Sequence, residues 1–397
     1  MVRVFDSDPA HLERVPLWLL VAAAPLGLVS TWGALFTFIS CAAMSYVMYL
    51  QIQKGASIWL AARDRLMGSA FVVLLFYIYV SMFMHYTERD GADHYTLLTG
   101  SVEVGGLLTP HPQVFFATGA LLLIGLSGMV VALTLGAAWH LCGTERWKAV
   151  AGIMLGGAAL MILLQPILYW NFFHLQASWI TSGNYGAALI IGWFLRPNFS
   201  LLPMGAYGFF GALFGLLLAR EASASTIKRV GYSLGAILIL ASLAVWAIQG
   251  EFPDPFSHGI DPKMYLLNMG CFIILATVTV VFYDRCAEND FQRRAGKTVW
   301  VRRIGMIALT VYLLESLVSA LLYQAFNWAL PGAMPFNAPV SIAFLVILQV
   351  FWMTVVVLWA RVDFKYSFEW LLTFILGRLR GKPSTRLNVR ATLYGQE

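Results

Sequence analysis

Few residues in this sequence stand out for their chemistry, because most of the chain is apolar. Glu315 lies in the middle of TVYLLESLVSALL, a run with no other charged residue. A carboxylate at that depth is costly unless it is protonated, paired or hydrated. Glu315 therefore reads as a hub, either an internal polar anchor or a proton or cation site. The segment from Asn171 to Tyr185, NFFHLQASWITSGNY, is uncharged but dense in amides, aromatics and hydroxyls. Sugars bind to ring faces flanked by hydrogen-bonding groups, so Asn171, Gln176 and Trp179 suit a carbohydrate-like acceptor. The plainer alternative is a solvated, aromatic-belted loop. His174 in this segment, and His85 at the end of an earlier apolar run, are the candidates for a general base, since imidazole titrates near neutrality. Arg196 is placed to meet Glu315, to meet an anionic substrate, or to snorkel to the interface.

Arg63, Arg65, Arg302 and Arg303 flank the other ends of apolar runs. Guanidinium groups there suit the phosphates of a nucleotide-containing donor, and equally suit the ordinary basic border of a membrane protein. His85, His94, His111, Asp90 and Asp93 gather in one segment, His85 to Pro112, without the spacing of a zinc motif. No metal is expected. Cys41, Cys142, Cys271 and Cys286 form no CxxC pair and read as free thiols. There is no Walker loop and no GxSxG elbow.

The elements that must carry these residues follow from composition. The chain has 397 residues, 59% of them hydrophobic and 12% charged, and a mean hydropathy of +0.73. That is too little polar surface to coat a soluble core, where about 25% of residues are charged. Apolar runs occur at Pro16–Ile52, Leu66–Met84, Val114–Ala138, Val150–Trp170, Leu201–Ala219, Val230–Ile248, Tyr265–Tyr283, Ile304–Phe326 and Val340–Ala360. A spanning helix needs about 20 such residues. Run 16–52 is twice that long and reads as two spans, or as a re-entrant segment plus one. The expected fold is all-α, a polytopic bundle of about ten transmembrane helices. A half-helix near 186–197 is interrupted by Gly183, Asn184, Gly186, Arg196 and Pro197. Residues 1–363 are expected to form one transmembrane domain. Residues 364–381 are expected to form an interfacial amphipathic helix, with Phe368, Leu371, Leu372, Ile375 and Leu379 on one face, and 382–397 a flexible cytoplasmic tail.

Lysine and arginine sort to alternate connections. Lys54, Arg63 and Arg65 share a side with Arg146 and Lys148, with Arg220, Lys228 and Arg229, and with the cluster from Arg285 to Arg303. The opposite connections hold only Arg89 and Lys263. The positive-inside rule puts the basic side and both termini in the cytoplasm of a multi-pass cell-membrane protein. The net charge of +6 is thus a feature of membrane orientation rather than a sign of nucleic-acid binding. The partners expected are membrane lipids, a small-molecule or glycan acceptor and a second copy of the chain.

Gly305, Ala308, Leu309, Thr310, Tyr312, Leu313, Leu314 and Ser316, followed by Glu369, Trp370 and Leu371, resemble the C-terminal G-x-x-A-L-T-x-Y-L-L-x-S helix and E-W-L motif of the YeiB-like bacterial membrane proteins. The stretch Phe199 to Gly215 resembles the L-P-W-x-G-x-x-x-x-G helix of the related heparan-α-glucosaminide N-acetyltransferase group. LFTFISCAAMSYVMYLQ and ATGALLLIGLSGMV resemble two further helices of that group. The R-x-x-x-L-D-x-x-R-G helix of these families has no counterpart here, and Glu315 stands where YeiB-like proteins often carry an amide. The resemblance implies a transmembrane acyltransferase. Acyl-CoA would be the donor on the cytoplasmic side, and a sugar or other acceptor would receive the acyl group on the outer face. A small-solute or lipid transporter and a non-catalytic subunit of a membrane complex are the alternatives.

Overall fold

The computed structural model describes residues 33–84, 87–89, 92–94, 96–110, 112–196, 198–250, 261–285, 288–330, 338–379 and 381. Among them the fold is all-α, apart from a hairpin of two three-residue strands, β1 (Thr87–Arg89) and β2 (Ala92–His94). Nine helices among the described residues are long and apolar enough to cross a membrane. The protein is a multi-pass helical membrane protein. The first part of the doubled run 16–52 lies outside the described residues, and its second part is α1 (Gly33–Gln53).

The chain forms two compact units. One comprises Thr31–Phe76 and Phe116–Phe291, and the other includes Tyr77–Phe115 and Gln292–Glu397. The border falls inside α2 (Ile58–Met82).

In the first unit, α4 (Ala120–Cys142), α5 (Trp147–Thr181) and α1 surround a core helix made of α7 (Leu201–Met204) and α8 (Ala206–Ala219). α6 (Tyr185–Leu195) packs on α5. Every residue from Leu201 to Leu217 in this core stretch is buried. Lipid tails are as apolar as leucine, so a helix is drawn into such a core by close backbone packing and not by escape from water. Glycine makes that approach possible here. A Cβ on Gly211 would overlap the Phe38 carbonyl oxygen, and one on Gly215 would overlap that of Ala42. Ser45 Oγ donates to Ala212 O across the same crossing, at 3.1 Å. Phe38 and Phe214 then meet edge to face, with centroids 5.2 Å apart.

The pair α9 (Ala224–Gln249) and α10 (Pro262–Tyr283) repeats the device. Gly231 faces Thr277, and Gly235 faces Ile274 and the backbone of Gly270. Asp261 caps α10 by accepting from Lys263 N at 2.9 Å, with Pro262 at the position where its missing N–H costs nothing. The Lys263 ammonium is buried 3.7 Å from the Asp261 carboxylate.

Helix α5 differs in extent from the sequence-based expectation, whereas α6 matches the half-helix expected near 186–197. Helix α5 runs 35 residues, so Asn171 to Thr181 continue the helix where an outer segment was expected. No glycine or proline interrupts that stretch. The stop comes at Gly183, whose φ of 78° only glycine adopts without strain. At 1.5 Å per residue α5 is about 52 Å long against a hydrocarbon core of about 30 Å, so its end clears the membrane. Helix α6 has 11 residues and reaches about 16 Å, too short to span.

In the second unit, α13 (Ala308–Ala329) packs against α3 (Leu98–Val104), and also meets α14 (Ala338–Ala360) and α15 (Phe368–Leu379). Two shorter helices, α11 (Glu288–Lys297) and α12 (Val299–Met306), precede α13. Phe344, Leu348 and Trp352 of α14 form an apolar cluster with Val311, Leu314, Val318, Leu322 and Phe326 of α13. After α14 the chain turns through Asp363, Phe364 and Tyr366, all at positive φ, and Trp359 Nε1 donates to Lys365 O at 2.7 Å. That turn delivers α15 to the start of α13. The buried positions of α15 are Leu376 and Gly377, whereas Leu371 and Leu379 of the expected apolar face stay exposed.

Candidate functional site

The polar residues of α5 divide by helical phase. Gln165, Tyr169 and Gln176 fall on the buried face, at spacings of four and seven. Asn171 and His174 fall on the exposed one. Two residues of separation rotate a side chain by about 200°, so His174 and Gln176 point apart. Asn171 turns back to its own helix, with Nδ2 donating to Ile167 O at 2.6 Å. Trp179 is half-buried.

Gln176 is the residue around which the C-terminal end of α5 is organised. Its Nε2 donates to Ala188 O of α6 at 3.1 Å, and its Oε1 accepts from Arg196 Nε at 3.1 Å. Gly192 makes room, because a Cβ there would overlap the Gln176 amide nitrogen. Ser200 Oγ in turn donates to Arg196 O and Leu202 O, both at 2.7 Å. One side-chain amide thus ties α5, α6 and the chain entering the core helix. Of the expected acceptor residues, Gln176 and Arg196 are brought together. Asn171 and His174 lie away from them, on the exposed face.

The other unit holds Glu315. It is half-buried, one residue from Ser316, whose Oγ lies 3.4 Å from the Tyr79 hydroxyl. Tyr312 stacks obliquely on Tyr79, with centroids 5.2 Å apart. Glu315 lies within electrostatic range of that same hydroxyl. Nearer the start of α13, Thr310 and Glu369 bind each other: Glu369 accepts from Thr310 N at 3.1 Å and from Thr310 Oγ1 at 2.5 Å. Thr310 Oγ1 accepts from Phe368 N at 2.8 Å.

Arg63 is exposed, with Nη2 3.7 Å from its buried neighbour Asp64. Arg65 is half-buried, as are Arg302 and Arg303 on α12. The first two belong to one unit and the last two to the other. His85 lies outside the described residues, as does His111. Among the described residues no group of three or more His, Cys, Asp and Glu side chains is placed to hold a metal. Cys41, Cys142 and Cys271 are free.

Sequence reasoning missed Tyr79 and Ser316 as partners in the Glu315 region, and Gly192 as the partner of Gln176. Tyr312 and Ser316 share a face at a spacing of four, which is visible in the sequence. That Tyr79 faces them is a tertiary contact and leaves no local trace. Comparison with family models, curated proteins and solved structures returns no match to this chain.

Proposed function

We propose that this chain is a cell-membrane acyltransferase of the YeiB-like and heparan-α-glucosaminide N-acetyltransferase-like group. It moves an acyl group from a cytoplasmic acyl-CoA donor to a sugar-like acceptor outside. Both termini lie in the cytoplasm under this reading. The observation that carries it is the contact between Thr310 and Glu369. These residues belong to the two segments on which the resemblance is most specific, and their mutual hydrogen bonds give both motifs a shared structural reason.

In this reading the donor's phosphates are received by Arg63 and Arg65 of the one unit, or by Arg302 and Arg303 of the other. Gln176 and Arg196, paired with each other, hold the acceptor, and Asn171 and Trp179 are the further acceptor residues of the same helix as Gln176. His174 or His85 removes the acceptor proton, and Glu315 is an internal polar anchor. Purified protein in lipid nanodiscs, given radiolabelled acetyl-CoA and a panel of amino sugars, should transfer label, with His174→Ala or His85→Ala slowing transfer about 100-fold or more. Absence of transfer across the panel in folded protein would overturn the reading.

One observation favours a second reading. Glu315 stands within a span beside Tyr79, Tyr312 and Ser316, a set able to pass or hold a proton. As a solute transporter, the protein would lose ion-coupled uptake completely on Glu315→Gln. As an acyltransferase it would be only weakened by that change.

A further inference from the structure

Arg220 ends the core helix α8, and the geometry around it points to a binding site separate from the residues of the proposed reaction. Its Nη1 donates to the Tyr49 hydroxyl at 3.1 Å. The guanidinium carbon lies 6.0 Å from the centre of the Tyr49 ring and 5.8 Å from that of Trp147. Trp139 closes the back, its ring 6.2 Å from that of Tyr49. Thr144 and the apolar side chains of Val150, Leu213 and Leu217 complete a narrow cleft. Tyr49, Trp139, Trp147 and Arg220 come from α1, α4, α5 and the end of α8, so the glycine-packed core fixes all four.

The charge in this cradle is held in place but not neutralised. Among the described residues no carboxylate pairs with Arg220, although the exposed Glu221 follows it directly and the exposed Glu145 lies two residues before Trp147. A guanidinium has five N–H donors in a rigid fork, and only one is used here. The Tyr49 oxygen accepts from Arg220, which leaves its own O–H as a second donor for an arriving oxygen. Arg146 and Lys148 flank Trp147 in the sequence and are exposed. The fork, the hydroxyl and the amphipathic rings match a phosphate ester whose remainder is apolar. The cleft has room for about one water-sized group, so a phosphate would rest at its mouth against the exposed Arg220, one oxygen reaching in, while the tail stays in the bilayer.

We propose that Tyr49, Trp147 and Arg220, backed by the buried Trp139, bind the phosphate of an anionic phospholipid headgroup. The same chemistry could be supplied by a soluble phosphate ester, and the experiment separates the two. Native mass spectrometry of the full chain is carried out with phosphatidylglycerol in one arm, and with inorganic phosphate and coenzyme A in the others. Phosphatidylglycerol should be retained by the wild-type protein, and Arg220→Gln should reduce retention about tenfold, with Arg220→Lys intermediate because a point charge replaces the fork. Tyr49→Phe, which keeps the ring and removes the hydroxyl, should give a smaller loss and serves if Arg220→Gln does not fold. Retention of coenzyme A or phosphate with the same dependence on Arg220 would keep the phosphate site and assign it to a soluble ester. Equal retention of every ligand by wild type and variants would overturn the proposal. Retention of coenzyme A at Arg220 would also bear on where the donor of the proposed reaction binds; the lipid and phosphate outcomes leave acyl transfer, read in a separate assay, untouched.

Discussion

The Glu369 carboxylate accepts hydrogen bonds from both the backbone N–H and the hydroxyl of Thr310, the third residue of α13. The first N–H groups of a helix have no partner within it, and the helix dipole favours negative charge at that end. Glu369 meets both needs from 59 residues away. Ser367 does the same locally for α15, accepting from Trp370 N at 3.2 Å. Removing the carboxylate with Glu369→Ala should lower the unfolding free energy by about 1–2 kcal/mol, the range of a lost helix cap. Glu369→Gln, which keeps one accepting oxygen, should cost less. Thr310→Val combined with Glu369→Ala should cost less than the sum of the two, because the residues share one network. Thermal unfolding in detergent measures the wild type, the two Glu369 variants, Thr310→Val alone and the double variant. Strict additivity would show that the contact carries no stability.

A second prediction separates glycines that are needed from glycines that are incidental. Gly211 abuts the Phe38 carbonyl, whereas a Cβ on Gly152 of α5 would meet nothing within 4 Å. Gly211→Val should force α1 and α8 apart, costing about 3 kcal/mol or more, and should show as loss of folded protein by size-exclusion chromatography. Gly152→Ala should change stability by about 1 kcal/mol or less, since it touches only the intrinsic preference of the helix. Similar behaviour of the two variants would remove the close crossing as the organising feature of this unit.

What the sequence made legible follows from the range of each interaction. The spans were readable because hydropathy is a local sum; the run Leu201–Ala219 even matches residue for residue. The half-helix was readable because Gly183 and Pro197 bracket it. The length of α5 was not, since Asn171, His174 and Gln176 look like loop residues, yet nothing in them breaks a helix. The same holds for Gln176 itself. The sequence marks it as a polar residue in an aromatic segment, and only the tertiary fold turns it inward to Ala188 and Arg196 while His174 faces out. Glu315 announced itself through its cost in an apolar run. Its relation to Tyr79 depends on two helices far apart in the chain and could not be read from either.

The Gln176 junction yields a prediction of its own. Gln176→Ala removes both hydrogen bonds and leaves Ala188 O without its side-chain donor, at a cost of about 1–3 kcal/mol. Gly192→Ala leaves the glutamine intact but occupies its seat, and should cost a similar amount. Joined, the two changes should cost little more than either alone, because the first empties the space that the second fills. Limited proteolysis at the α5–α6 connection, near Ser182 and Asn184, should accelerate in either single variant. An additive double variant would mean that Gly192 serves some purpose other than seating Gln176.

The assignment of donor and acceptor sides rests on where lysine and arginine fall, and it can be tested without knowing the reaction. Arg293 and Thr109 are both exposed and lie in connections of opposite charge character. In a background with the native cysteines replaced, Arg293→Cys should react with a membrane-impermeant maleimide only after the cells are opened. Thr109→Cys should react in intact cells. The physical basis is the cost of carrying a dense basic cluster across the bilayer, whereas the opposite connections, poor in lysine and arginine, offer little resistance. Reversed labelling would place the α11 and α12 arginines outside. Arg302 and Arg303 could then no longer meet a cytoplasmic donor, and the acyl-transfer reading would lose its sidedness even if Thr310 and Glu369 remained in contact.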